Sequence, residues 1–365
     1  MDVQINPFTP SFGRVPPILA GRRALVSELE HALVSSPNDP ILVSLFSGPR
    51  GVGKTVLLSY LANKAEATGW ISVNVTARPG MLEDIFERTV DAANEFVERS
   101  SKARITSVTV PALFSATWEY RDTASGNWRT RMNRVLDVLD QNSVGLLFTI
   151  DEVDATLDEL VDFSATFQHF IREGRKVALF MAGLPINVSA LLSDKSVSFL
   201  RRASQHALGR IEDDDIAHAF RETVEEFGKT ITDDALELAV SEIGGFAYMM
   251  QLVGFRTWAQ AEASTSIDAS HVRAATGLAK QDFINGVVKK TLQELSDGDI
   301  AFLEAMLPDE GEPSLVSDVA ERMGKTANYA RVYRTRLAEQ GVIAATRRNT
   351  VEFDMPLLRE YLSEE

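Results

Sequence analysis

The sequence reads as an α/β fold, a parallel sheet carrying helices on both faces. An all-helical segment follows, and then a helix-turn-helix with a hairpin. Three observations lead there. Short apolar runs rich in strand formers alternate with helical periodicity between Ile41 and Ala182, and strands apolar throughout are those buried on both faces of a parallel sheet. Strand signals stop after about Gly209, and only helical spacing continues to residue 287. From Ser296 onward the order is helix, short helix, turn, second helix and two short β runs.

Residues 1–38 are punctuated by Asn6-Pro7-Phe8-Thr9-Pro10 and Pro16-Pro17. Proline neither continues a helix nor donates within a sheet, so an extended arm is predicted, then a helix carrying Leu25, Leu29 and Leu33. Within 39–210, strands are predicted at Ile41–Phe46, Trp70–Val75, Gly145–Ile150 and Val177–Ala182, and helices at Lys54–Ala67, around Ile85–Phe96, at Trp128–Leu139 and up to Gly174. The alternation from Ile105 to Tyr120 reads as an inserted hairpin. Residues 211–287 read as a helical lid, with helices at Ile216–Phe227, Asp233–Ile243, Ala247–Ala263 and Ala269–Phe283, and 288–365 as a separate C-terminal unit.

Composition narrows the function. A chain of 365 residues, 45% hydrophobic and 24% charged, has material for two or three globular cores. There is no cysteine, which removes disulfides and thiolate chemistry and fits a reducing cytoplasm. No apolar run approaches the roughly 18 residues that span a bilayer, and Met1-Asp2-Val3-Gln4 does not begin like a signal peptide. No membrane partner is expected. The net charge of −15 opposes nucleic-acid binding over the whole surface but leaves room for one local basic module. Five scattered histidines show no metal spacing, and no G-x-S-x-G elbow occurs.

The sharpest signal is Gly48-Pro49-Arg50-Gly51-Val52-Gly53-Lys54-Thr55, which fits G-x-x-x-x-G-K-[ST] between a predicted strand and a predicted helix. Glycines let successive backbone N–H groups turn inward around a phosphate, and the helix that opens at Lys54 adds its unpaired amides and dipole. Gly48 through Val56 are therefore assigned to nucleotide binding. Lys54 reaches the β- and γ-phosphates and Thr55 ligates Mg²⁺. The strand Gly145–Ile150 runs into Asp151-Glu152 at the carboxyl edge of the sheet, where open α/β sheets bind ligands. Asp151 is assigned to Mg²⁺ and Glu152 to polarising the attacking water. Asp154 reads as a helix cap.

Strand, phosphate loop, helix and a separate strand ending in Asp-Glu resemble the additional-strand P-loop ATPases. The helical lid narrows the resemblance to the AAA+ and STAND-like group. Asn6-Pro7-Phe8-Thr9-Pro10 and Pro17-Ile18-Leu19-Ala20-Gly21-Arg22 resemble the N-terminal signature of bacterial and archaeal ATPases related to origin-recognition initiators. The resemblance implies ATP or ADP with Mg²⁺ as cofactors, Leu19, Gly21 and Arg22 near the adenine, and ATP hydrolysis. It implies a finger at Arg201 or Arg202 reaching a neighbour's nucleotide in a homo-oligomer. Gly244-Gly245-Phe246-Ala247-Tyr248 is similar to the family's Gly-x-Pro turn, with Ala247 in place of proline. The chain departs from the family at Met181-Ala182-Gly183-Leu184-Pro185, where a polar γ-phosphate sensor is expected and none stands. Transition-state charge stabilisation dominates phosphoryl transfer, so the departure implies slow hydrolysis.

In the C-terminal unit, Ser296 is positioned to cap a helix carrying Ile300, Leu303 and Leu307. Leu315–Met323 reads as a short helix stopped by Gly324. In the helix Thr326–Gln340, Ala330, Tyr333 and Leu337 form the core stripe, and Arg331, Arg334 and Thr335 share another face. Val342-Ile343 and Val351–Phe353 pair around Thr346–Asn349. This is a winged helix-turn-helix pattern. Residues 314–350 hold seven basic residues against three acidic ones. Arg331 and Arg334 are assigned to the major groove of double-stranded DNA, and Arg347 and Arg348 to phosphate or minor groove. The competing reading is a nucleotide-gated switch whose winged helix docks on protein, its own core or a partner.

Overall fold

A computed structural model describes residues 5–11, 13–35, 39–104, 127–345 and 349–364. The hairpin expected at 105–120 lies outside these residues, as do Arg347 and Arg348.

Helix α1 (Arg23–Ser35) precedes β1 (Val43–Ser47). Next come α2 (Lys54–Ala67), β2 (Trp70–Thr76), α3 (Met81–Arg104), α4 (Trp128–Gln141) and β3 (Gly145–Asp151). The α/β part closes with α5 (Asp158–Arg172), β4 (Val177–Gly183), α6 (Pro185–Ser193) and β5 (Ser204–Ala207). The strands form one sheet in the order β2-β3-β4-β1-β5, every pair parallel. Strand β3 thus stands between β2 and β4, and β1 sits one strand away from it. This order brings the ends of β1 and β3 to one edge without making them neighbours.

Side chains alternate across each strand. Leu146, Phe148 and Ile150 of β3 join the core under α3, α4 and α5, while Leu147 joins the core on the other face with Phe46, Phe180 and α2. That second core continues without a break through Phe220 and Phe283 to Phe302 and Leu337. The C-terminal unit is therefore packed onto the rest of the chain.

The all-helical segment comprises α7 (Asp213–Glu226), α8 (Asp233–Ile243), α9 (Ala247–Gln260) and α10 (Ala269–Phe283). It also holds what its sequence conceals: β6 (Thr230–Ile231) and β7 (Ser266–Ile267) form a two-stranded parallel pair. Strand signals therefore do not stop at Gly209. Two-residue strands fall below the length at which periodicity shows. The N-terminal arm is not free. Asn6 Nδ2 donates to Phe255 O (3.0 Å), Thr9 N–H donates to Gln251 Oε1 (2.9 Å), and Phe8 lies over Gly254 against Phe220. Gly254 leaves the space, since a Cβ there would come 2.2 Å from the Phe8 ring.

After α10 the helix passes through a π-helical turn (Ile284–Val288) into α11 (Lys289–Glu294). Then come α12 (Asp297–Met306), β8 (Ser314–Leu315), α13 (Val316–Arg322), α14 (Ala327–Glu339), β9 (Ile343–Ala345), β10 (Thr350–Phe353) and α15 (Leu358–Glu364). Ser296 caps α12 in a reciprocal box with Asp299. Gly324, at φ +62°, ends α13 as expected. The antiparallel order β8-β10-β9 adds one strand to the expected hairpin.

Candidate functional site

Strand β1 delivers the chain to the carboxyl edge of the sheet, and the loop 48–53 turns it into α2. Gly48 is required by a close approach: a Cβ would lie 2.4 Å from the Leu208 carbonyl, because Leu208 N–H is bonded to Ser47 O (2.7 Å). Gly53, at φ +92°, is left-handed immediately before the first residue of α2, a conformation costly for other residues. Lys54 Nζ lies inside the loop, donating to the carbonyls of Gly48 (2.7 Å) and Pro49 (2.8 Å). Burial lowers its pKa to about 8, opposed by the carboxylate of Asp151.

Strand β3 ends opposite. Thr55 Oγ1 donates to Asp151 Oδ2 at 2.5 Å, so the two residues assigned to the metal share one corner. Asp151 Oδ1 accepts the N–H of Glu152 (2.9 Å). Glu152 itself adopts φ +55°, uncommon for a non-glycine residue and worth about 1–3 kcal/mol of strain. The next residue returns to the sheet, Val153 N–H donating to Ala182 O (2.9 Å). Glu152 is thus the exposed apex of a tight turn at the mouth of the sheet. Among the described residues no group of three or more His, Cys, Asp or Glu could hold a metal alone. A hydroxyl and one carboxylate do fit Mg²⁺, which takes one or two protein oxygens and completes its shell with phosphate and water.

These groups face a cavity of about 650 Å³. Leu19, Arg22, Arg50, Gly51, Val52, Gly53, Lys54, Thr55, Val56, Asp151 and Glu152 all line it. Gly48, Pro49 and Gly21 do not. The first two form the back of the loop, and Gly21, at φ +64°, packs against Ile211. Arg22 donates to Gly209 O (2.7 Å), and burial lowers its pKa against the pull of Asp215. Apolar Ile18, Leu19, Ile211 and Met250 make this end suited to a flat ring, and the phosphate loop makes the other end suited to anions.

The helical segment and the C-terminal unit close the cavity. Tyr248 N–H, at the start of α9, donates to Gly51 O (3.0 Å), and Ile211 N–H donates to Gly245 O (2.8 Å). Arg50 of the loop pairs with Glu294 of α11 at 2.5 Å. Gly341, at φ +71° in the turn after α14, stands so near Pro49 that a Cβ would lie 2.2 Å from the proline Cβ. Arg210 joins Asp354, which follows β10, at 3.0 Å.

The arginines preceding β5 lie elsewhere. Arg201 donates to the carbonyls of Leu192 (2.8 Å) and Ser193 (3.4 Å), and exposed Arg202 does not line this cavity. Asp154 lines the cavity but is no helix cap: its Oδ1 accepts Thr156 N–H (2.9 Å), and α5 begins only at Asp158. Several polar groups at the cavity escape the sequence reading: Ser11 and Arg14 of the arm, Gln251 of α9, Asn187 in the first turn of α6, and Lys290 and Glu294 on α11. Asn187 follows Pro185 on the helix after β4, so a reading that stops at the strand end passes over it. Lys290 and Glu294 belong to a different unit of the chain and carry no local signal.

On α14 the expected basic face is largely committed within the chain. Arg334 donates to Asn349 Oδ1 (2.7 Å), Arg336 to buried Asp299 (2.7 Å), and Arg331 to Asn328 Oδ1 (3.1 Å). Arg331 stays exposed beside Asn328, Thr335 and Val332, the last 64% exposed.

A family model described as a domain of unknown function (DUF8462) matches residues 285–362. No curated protein matches the chain. Solved structures do. A Walker-type ATPase of Pyrococcus abyssi is similar at TM-score 0.65 and 16% identity, over 94% of this chain and 96% of that one. The ORC2 protein of Aeropyrum pernix, in ADPNP–ADP complexes, is similar at TM-score 0.68 and 16% identity, over 97% and 95%. The ORC1 protein of the same organism, in complex with DNA, is similar at TM-score 0.50 and 17% identity, over 98% and 95%. The chain shares the fold of these solved structures, from the five-stranded parallel sheet through the helical C-terminal region.

Proposed function

We propose that the chain binds ATP with Mg²⁺ in the cavity between the phosphate loop, the arm and the lid, and hydrolyses it slowly. The nucleotide state then sets how the C-terminal winged helix sits and whether it engages double-stranded DNA. For this reading the chain divides into an arm with its adenine-side helix (1–38), a nucleotide-binding domain (39–210), a lid (211–287) and a winged helix domain (288–365). The observation that carries it is the 2.5 Å approach of Thr55 to Asp151 beside half-buried Lys54. Two distant stretches of sequence meet there in the donor set that Mg·ATP needs.

Backbone amides of the loop and Lys54 receive the phosphates, and Leu19 and Arg22 flank the base. Thr55 and Asp151 hold Mg²⁺, which when bound supplies charge neutralisation across the phosphates. Glu152, at the apex of its strained turn, orients and polarises the attacking water. No polar residue ends β4, and Arg202 awaits a second copy of the chain, so turnover is slow in the monomer. The contacts of Gly341 with Pro49 and of Glu294 with Arg50 give the nucleotide a direct hold on the C-terminal unit. The similarity to an origin-recognition protein solved with DNA, and the exposed Arg331, support duplex binding.

A second reading, a nucleotide-gated switch whose winged helix meets protein, is favoured by one observation: Arg322, Arg334 and Arg336 are tied to internal partners while Val332 is exposed. Nucleotide affinity, turnover and duplex binding measured together separate the two. Lys54→Ala is expected to lower Mg·ATP affinity on the order of 100-fold. Unchanged affinity in that variant refutes nucleotide binding at this loop. Duplex binding that is absent at low salt leaves the switch.

A further inference from the structure

The continuous helix from α10 into α11 brings a cation, Lys290, to the wall of the cavity from outside the nucleotide-binding part of the chain. Its π-helical turn, Ile284–Val288, adds a residue and rotates α11 by about 100° relative to an uninterrupted helix. Upstream, Ala275, Ala279 and Phe283 are buried in the lid. Downstream, Val288 and Thr291 are buried, while Gly286, Lys290 and Glu294 line the cavity. These three recur every four residues and lie on one face. One end of that face is paired with the loop, and the other lies against Tyr248, whose backbone is bonded to the loop. At Gly286 a Cβ would stand 3.3 Å from the Tyr248 hydroxyl, and Tyr248 N–H holds Gly51 O. At the other end Glu294 holds Arg50 at 2.5 Å. Lys290 lies between Gly286 and Glu294, one helical turn from each, and lines the same cavity as Arg50 and Gly51.

We propose that Lys290 is a nucleotide-contacting residue that binds the terminal phosphate of ATP, with Glu294 as the positioning residue that keeps Arg50 beside it. This rests on ATP occupying the cavity as proposed above. It meets a specific shortage. The end of β4 is Gly183-Leu184, and Arg201 is committed to the carbonyls of Leu192 and Ser193. Lys290 is a residue of the C-terminal unit, so a γ-phosphate drawn to it ties that unit to the loop, and loss of the γ-phosphate removes the tie.

The test titrates the full chain with a non-hydrolysable ATP analogue and with ADP, each with Mg²⁺, in wild type, Lys54→Ala, Lys290→Ala, Lys290→Met and Lys290→Arg. Lys290→Ala and Lys290→Met are expected to weaken the triphosphate analogue about tenfold while ADP changes less than about twofold, and Lys290→Arg to restore it. Lys290 is exposed, so these variants fold, and Met keeps the aliphatic stem. Wild-type affinity in the Ala or Met variant overturns the assignment, as does equal weakening of ADP and the analogue. If Lys54→Ala loses binding while the Lys290 variants keep it, the cavity binds nucleotide and only the Lys290 assignment falls. If wild type binds neither nucleotide, the underlying reading falls first.

Discussion

The phosphate loop and helix α14 both carry basic residues assigned to bind phosphate-bearing ligands, yet the fold treats them in opposite ways. In the loop, Lys54 is turned inward and held by two backbone carbonyls, with the Thr55 and Asp151 pair beside it at 2.5 Å. On α14, Arg334 and Arg336 are engaged by Asn349 and Asp299, and Arg331 alone of the assigned pair stays exposed. Glycine geometry explains the difference. In the loop the motif fixes the backbone, and the backbone fixes where the functional groups point. On a helix, spacing fixes a face but not what occupies it, so a neighbouring carboxylate or amide decides whether an arginine is available.

The contrast breaks or sharpens through substitutions of decreasing effect. Glu152→Gln is expected to lower ATP turnover on the order of 1000-fold at unchanged ATP affinity, measured by phosphate release beside equilibrium binding. Ordinary turnover in that variant removes Glu152 as the group acting on water. Arg331→Ala with Arg334→Ala is expected to weaken duplex DNA about tenfold and to flatten its salt dependence by about one to two counterions, with nucleotide affinity untouched. A binding curve that keeps its slope moves the DNA contact away from α14. Gly341→Val places side-chain atoms against Pro49 at a left-handed position. Hydrogen exchange of the loop amides at 48 and 50–53 is expected to quicken by on the order of threefold to tenfold. Exchange at the wild-type rate shows that the C-terminal unit does not restrain the loop.

Much of the fold is written locally and could be read. The strands β1 to β4 are apolar runs of the right length, Ser296 and Gly324 bound their helices as caps do, and the loop motif sits between strand and helix as its chemistry requires. Three features resisted for physical reasons. The pair β6–β7 is too short to show a period. The arm's attachment depends on Gly254 meeting Phe8, residues far apart in the chain. Lys290 and Glu294 reach the cavity only because a π-helical turn reorients the helix and because one core joins the C-terminal unit to the rest. The acidic pair was legible because an apolar strand that runs directly into two carboxylates sets them at the carboxyl edge of a parallel sheet. Asn187 was not, because it follows the strand by a turn of helix. The basic face of α14 was legible as a face, but not in its partners.

The affinity of a non-hydrolysable ATP analogue, measured calorimetrically with and without Mg²⁺ in wild type and in Asp151→Asn, bears on the Thr55–Asp151 corner with fewest intermediates. One molecule per chain is expected, bound about tenfold or more tightly with Mg²⁺ in wild type, with that gain lost in Asp151→Asn. A Mg²⁺ gain that survives intact in Asp151→Asn contradicts the placement of the metal between the phosphate loop and the end of β3.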